Sequence, residues 1–353
     1  MEWKLSEEQE AYREALRDWL AAVAPSATVR AWHAEGDAAT FSDRFARDGM
    51  AGVGIAEELG GQGGGVVELA LTAEELARAA APSAAWLATV LALPALPPDL
   101  VEGALAGGTA ALLAPAEELP LAAPTLSTDA DGRVSGVVPR VLNGDRATSL
   151  VAVVGAGQDR ALRLVQVAGG GVEVVPRHLL DRSRSVADVH LRDAPSVPLT
   201  ADAAGFLDRA TDLAGVLVAA DSLGAMERML DLAVEYSGQR VQFGVPIGSF
   251  QAVKHAAATI LVGVEAGRSG VYFAAASVDA GDPQCALHAA AVKAQVCAEG
   301  ARAADTALTV HGAIGYTWEH DLHLFYKRAR LDEHLFGAPG TWNERIADGL
   351  ALV

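Results

Sequence analysis

Between Arg240 and Gln251 the chain reads R-x-x-F-G-x-P-I-x-x-F-Q, which places Arg240, Phe243, Gly244, Pro246, Ile247, Phe250 and Gln251 at fixed spacing. A guanidinium offers planar, permanently charged donors that match a pyrophosphate in a bidentate way. Phenyl rings supply apolar walls, Gly244 permits a tight backbone, and the Gln251 amide can bond a nucleotide. Arg240 follows a long helical pattern, so its side chain would project from a helix end toward a partner. On spacing alone a plainer reading stays open: a surface arginine and a connecting loop with two core phenylalanines.

The remaining chemistry-capable residues form weaker patterns. The glycines from Gly60 to Gly65 fail as a phosphate-cradling loop, because no strand precedes them and no βαβ unit surrounds them; they read as a turn. Cys285 and Cys297 have no His or Cys at ligand spacing, so they read as structural rather than as a disulfide or zinc pair. His311, His320, His323 and His334 mix loop and helix spacings without a supporting carboxylate pattern, and no metal site is expected. Asp212 and Glu333 read as ordinary solvated helix residues.

Positioning such groups requires a frame, and the hydrophobic period supplies one. Tyr12, Leu16, Trp19, Leu20 and Val23 share one helical face, and Ser6 with Gln9 resembles a capping box. Further helical patterns cover Phe41 to Met50 and Glu68 to Ala80, the latter stopped by Pro82, and an Ala/Leu-rich stretch over 84–112 reads as one more helix with a short return. The period then shortens to β-branched runs at Leu150–Val154, Leu162–Val167, Val172–Val175 and Val186–Leu191. Long helical patterns resume over 201–237, 250–280, 284–311, 320–336 and 340–351, the charges of Glu319 and Asp321 capping one of them. The expectation is an α+β protein with a helical domain at 1–112, a small β domain at 113–200 and a helix bundle at 201–353, and not a doubly wound sheet.

Composition narrows the partners. A net charge of −18 with four lysines, Lys4, Lys254, Lys293 and Lys327, argues against nucleic-acid binding, which needs a basic surface. The 353 residues carry 51% hydrophobic side chains, which fits Ala-rich helices and surface buried between subunits. The longest apolar stretch, Ala84 to Leu93, ends at Pro94, far short of the ~20 residues of a membrane span. The first residues lack the basic start and apolar centre of an export signal, so a cytoplasmic location is expected.

The Arg240–Gln251 string resembles the flavin-binding signature of acyl-CoA dehydrogenases. The resemblance continues in order along the chain: Leu5 to Gln9, Gly52 to Gly63, Glu74 to Pro82, Asp181 to Arg184, Phe250 to His255 and His311 to Tyr316. It implies an acyl-CoA dehydrogenase-like fold, FAD as cofactor, an acyl-CoA thioester as substrate and an electron-transfer flavoprotein as electron acceptor. By the same resemblance Arg240, Phe243, Gln251 and Gly312 would contact FAD belonging to a neighbouring subunit.

Departures from the family pattern point the same way. The T-E-x-x-x-G-S-D stretch that touches the flavin ring from the same subunit is not recognisable across Ala114 to Thr128, and Arg140, Val141, Leu142, Asn143 and Gly144 replace the aromatic W-I-T element. Thr309 and Ala313 also depart from the Q-x-x-G-G element. α,β-Dehydrogenation needs a carboxylate base near the substrate α-carbon. Its two family positions fall here on Gly337 to Pro339 and on Ala214, so no catalytic residue is assigned. The sequence therefore reads as a partner subunit that completes a homologous neighbour's FAD site, in a heterotetramer of the kind known from bacterial sterol or fatty-acyl degradation. The alternatives are a self-sufficient homotetramer with a displaced base and a non-redox binding or scaffold descendant.

Overall fold

In the computed structural model, which describes residues 4–155 and 157–350, the Ser6 hydroxyl accepts from the Gln9 amide at 3.2 Å while the Ser6 amide donates to the Gln9 side chain at 3.0 Å. This box starts α1 (Glu7–Val23), followed by α2 (Ser26–Glu35), α3 (Ala39–Arg47), α4 (Val66–Arg78), α5 (Ala84–Ala92) and α6 (Pro98–Leu105). Residues 1–3, part of the N-terminal stretch read for an export signal, and residue 351, at the end of the expected last helix, lie outside the described residues.

Two four-stranded sheets come next. One holds β1 (Ala110–Leu112) beside β4 (Ser149–Val154), β5 (Ala161–Gln166) and β8 (Ser196–Pro198); the other orders β2 (Ser127–Thr128), β3 (Val134–Leu142), β7 (Val186–Ala194) and β6 (Val172–Arg177). Two readings need correction. β1 lies inside the stretch expected to be helical, where Gly107 and Gly108 end α6 and parallel pairing with β4 selects an extended chain. β3, the strand between β2 and β7, was not anticipated, because Gly136 and Pro139 interrupt its alternation and two register shifts against β7 accommodate them.

The C-terminal helices are α7 (Ala203–Gln239), α8 (Gln251–Asp279), α9 (Cys285–His311), α10 (Leu322–His334) and α11 (Pro339–Gly349), with a two-strand hairpin, β9 (Val241–Gln242) and β10 (Val245–Pro246), between α7 and α8. The architecture is α+β, with strands and helices segregated. Helix α4 packs so closely on α7 that a Cβ at Gly224 would meet the Glu74 carbonyl oxygen at 1.9 Å; only glycine fits there.

A buried ionic cluster ties the three regions together. Arg328 on α10 grips Asp221 on α7 through Nε and Nη2 at 2.7 and 2.6 Å, and also donates to the Ala81 carbonyl and the Ser83 hydroxyl ahead of α5. Arg184, just before β7, reaches Asp221 at 2.8 Å and Asp332 at 3.3 Å. Burial alone would raise the Asp221 pKa, but the two guanidiniums outweigh it and hold the group at about 2. Asp332 goes the other way, raised by burial and by the Asp221 charge.

Candidate functional site

Helix α7 ends at Gln239 because Arg240 turns extended (φ −75°, ψ 119°), its amide still donating to Tyr236. The chain then folds back on itself, Val241 opposite Pro246 and Gln242 opposite Val245. The turn is Phe243-Gly244, both with positive φ (+53° and +83°), as a two-residue hairpin of this hand requires. Glycine adopts this without strain; phenylalanine does not. The strained residue is also the most exposed large apolar one here: Phe243 is 94% exposed, its ring edge-on to Phe250 at 6.1 Å. This removes the reading of Phe243 as a core residue.

Arg240 is exposed and, among the described residues, makes no side-chain hydrogen bond or ion pair. Gln251, the first residue of α8, is equally exposed and unengaged. Gly312 caps α9 with φ +63° and is exposed. One contact brings its loop to the Arg240 end of α7: Tyr236, a turn before Arg240, stacks on His311 with ring centroids 4.8 Å apart. The Arg240 hairpin, Gln251 and the Gly312 loop thus lie at one end of the α7–α9 helices. Their free groups are a guanidinium, an amide and apolar rings, a set that fits the anionic pyrophosphate and flat rings of FAD.

The segments expected to face a flavin ring from the same chain also converge. Ala116, Glu117, Arg140, Leu142, His334 and Leu335 lie around a cavity of about 210 Å³. Backbone bonds hold its walls: Ala116 N to the Arg140 carbonyl at 3.0 Å, and Phe336 N to the Ala116 carbonyl at 2.6 Å. Arg140, at φ +46°, forms an ion pair with Glu117. Where the family resemblance implies an aromatic ring and a hydroxyl, this chain places a partly exposed ion pair and Leu142. These residues do not fit a flavin ring.

The base positions carry no carboxylate either. At Gly337 (φ +101°) a Cβ would lie 3.1 Å from both Leu119 Cδ2 and Trp342 Nε1, and at Gly215, next to the buried Ala214, it would lie 3.0 Å from the same indole. Trp342 is fully buried, and its Nε1 donates to the Phe336 carbonyl at 3.0 Å. Lys293 Nζ binds the carbonyls of Asp332 and Gly337 at 2.9 and 3.1 Å, pinning the backbone on the other side. A side chain at Gly337 would therefore have to displace Leu119 or Trp342, Ala214 is fully buried, and Ala338 and Pro339 are half-buried; none of these positions carries a carboxylate.

Asp212, expected from the sequence to be a solvated helix residue, is not. It is buried, where desolvation raises its pKa, and it accepts from Arg345 at 3.0 Å. Glu333 pairs with Arg330 at 3.2 Å. Neither carboxylate is free for proton transfer. Sequence reasoning missed the Arg140–Glu117 pair and the role of Trp342; the available signal was an indole directly after Gly340-Thr341. Asn143 is buried with both amide atoms unpartnered, and we have no physical account of it.

A helical N-terminal region, a small β region and a C-terminal helix bundle bearing an outward hairpin define an acyl-CoA dehydrogenase-type protein. Residues 6–97 match the family model for the acyl-CoA dehydrogenase N-terminal domain, and residues 209–351 that for the C-terminal domain. The chain is 33% identical to acyl-CoA dehydrogenase IpdE2 of Mycobacterium tuberculosis, covering 94% of each protein. It is 35% identical to acyl-CoA dehydrogenase FadE34 of the same organism over 97% of its own length, but spans only 48% of that relative. Among solved structures, the ChsE4-ChsE5 complex from M. tuberculosis superimposes with a TM-score of 0.83 at 24% identity, over the whole of both chains. The chain belongs to the acyl-CoA dehydrogenase family.

Proposed function

We propose that this chain is the cofactor-completing subunit of an FAD-dependent acyl-CoA dehydrogenase. It pairs with a second acyl-CoA dehydrogenase-type chain and lays Arg240, Phe243, Gln251 and Gly312 on FAD held mainly by that neighbour. FAD, when bound, supplies the hydride acceptor for α,β-dehydrogenation of an acyl-CoA thioester; the neighbour supplies the base. In this reading Arg240 neutralises pyrophosphate charge, Phe243 and Phe250 exclude water from one side, and Gln251 and the Gly312 backbone orient the nucleotide end. An electron-transfer flavoprotein serves as electron acceptor, and the chain works as three domains, 1–112, 113–200 and 201–353.

One observation carries the reading: Arg240 at the foot of the hairpin and the strained Phe243 at its tip stand exposed, while Gly337 to Pro339 and Ala214 carry no carboxylate. Two likenesses support it. A relative in the solved structures is a complex of two differently named chains, and FadE34 carries about as much chain again as the part this protein matches. The engaged state of Asp212 and Glu333 weighs against a self-sufficient enzyme with a displaced base.

The test is purification of the full chain alone and together with a homologous subunit that carries the family's glutamate. Flavin absorbance only in the paired sample is expected; stoichiometric flavin on the isolated chain would overturn the proposal.

A further inference from the structure

A cavity of about 410 Å³ opens where α2, the loop ahead of β7 and the first half of α10 meet. None of its lining residues belongs to the Arg240–Gln251 segment, so a ligand bound here is independent of the proposed function. Three cationic side chains, Arg30, Arg182 and Lys327, lie on its wall. Arg30 is matched by Asp321, Nε to Oδ1 at 2.9 Å. Arg182 is held by one nitrogen only, Nη1 donating to the carbonyls of His33 and Ala34 at 3.3 and 3.1 Å. Lys327 forms no ion pair among the described residues; its ammonium lies 3.9 Å from the centroid of Trp318 and 3.3 Å from His323 Nδ1.

That last contact fixes the imidazole. An ammonium has only donors, so Nδ1 of His323 accepts and the proton of the neutral ring sits on Nε2. Burial first, and the Lys327 charge second, push the His323 pKa down to about 4, which keeps the ring neutral. His323 is 9% exposed, and its Nε2 is buried with no partner. The carboxylate on the wall, Asp181, is already engaged by the Ser183 amide and hydroxyl at 2.9 and 2.7 Å. The free polar groups are thus donors and cations. Beside them stand two large apolar side chains, Trp318 at 75% and Leu180 at 85% exposure.

We propose that this cavity binds a small ring-bearing phosphomonoester, the phosphate on Lys327 and Arg182 and the flat ring against Trp318 and Leu180. The size suits such a ligand, since small-molecule sites run from about 300 to 1,000 Å³. An exposed indole gives any nucleobase a stacking surface without demanding a particular base.

The test is calorimetric titration of the full chain with AMP, adenosine and inorganic phosphate. AMP binds at submillimolar concentration, and each half alone binds at least about tenfold more weakly, because each keeps only the ring stacking or only the charged contacts. Trp318→Ala and Lys327→Met each weaken AMP by about tenfold, the loss of one stacked ring or one charge-assisted bond. Lys254→Met, on an exposed part of α8, leaves the affinity unchanged. Circular dichroism confirms that each variant is folded. No AMP binding up to about 10 mM, two orders above the submillimolar range, or affinity equal to the native chain's in both Trp318→Ala and Lys327→Met, overturns the proposal.

Discussion

At the end of α7 the chain leaves a guanidinium and a phenyl ring in the open; at the end of α10 it buries an indole, an ammonium and a tightly packed glycine. Both places are ones where acyl-CoA dehydrogenases are expected to carry function. Phe243 keeps a backbone conformation that disfavours its own side chain and exposes 94% of it, which no folding argument within one chain explains. Strain of that kind persists where something outside the local structure selects it. Trp342 obeys ordinary core physics: it is buried, hydrogen-bonded and packed against two glycines. The outward region leaves its side chains exposed, and the inward one is tightly packed.

Substitutions that break the inward region should cost the most. Arg328→Met leaves Asp221 buried without one of its two guanidiniums, and a loss of about 3–5 kcal/mol is expected from denaturant unfolding. Trp342→Ala should cost a similar or slightly smaller amount, about 3–5 kcal/mol, as a buried aromatic removed from between Gly215 and Gly337. Opening that space should bring no dehydrogenase turnover to the isolated chain, because no carboxylate moves into it; turnover in the variant would mean that a base had been present and merely blocked.

A third substitution sharpens the contrast by pH. Glu74 is fully buried, and burial together with the Glu227 charge raises its pKa from 4.5 to about 7, its carboxyl accepting from the Tyr272 hydroxyl at 2.8 Å. The folded chain therefore holds this proton more tightly than the unfolded chain. The resulting stability is complete below pH about 4.5 and disappears as pH rises through about 7. Glu74→Gln keeps an oxygen for Tyr272 and has no proton to lose, so its stability relative to the native chain should grow across that window by on the order of 3 kcal/mol. A pH-independent difference would contradict the assignment.

How much of this could be read from residues alone depends on the range of the interactions. The Ser6–Gln9 box and the Phe243-Gly244 reversal are decided within a few positions, and the Arg240 string was legible for that reason. β3 was not, because its partners β2 and β7 stabilise a segment whose own alternation Gly136 and Pro139 spoil. Asp212 looked solvated because Arg345, which partners it, lies 133 positions away. The tight packing at Gly337 and Gly215 needed Leu119 and Trp342 to meet them, a coincidence that no local pattern announces.

The smallest effect on stability belongs to the outward region, and it isolates the central claim. Arg240→Ala removes an exposed side chain with no partner in the described residues, so unfolding should change by no more than about 0.5 kcal/mol. The decisive measurement is the FAD bound per assembled pair when the native chain or Arg240→Ala is combined with a base-carrying homologous subunit, with pairing checked by size-exclusion chromatography. The expected result is an intact pair whose FAD affinity falls by about tenfold or more, the loss of one charge-assisted pyrophosphate contact. An intact pair that holds FAD as tightly as the native one would contradict a cofactor-completing role for this chain.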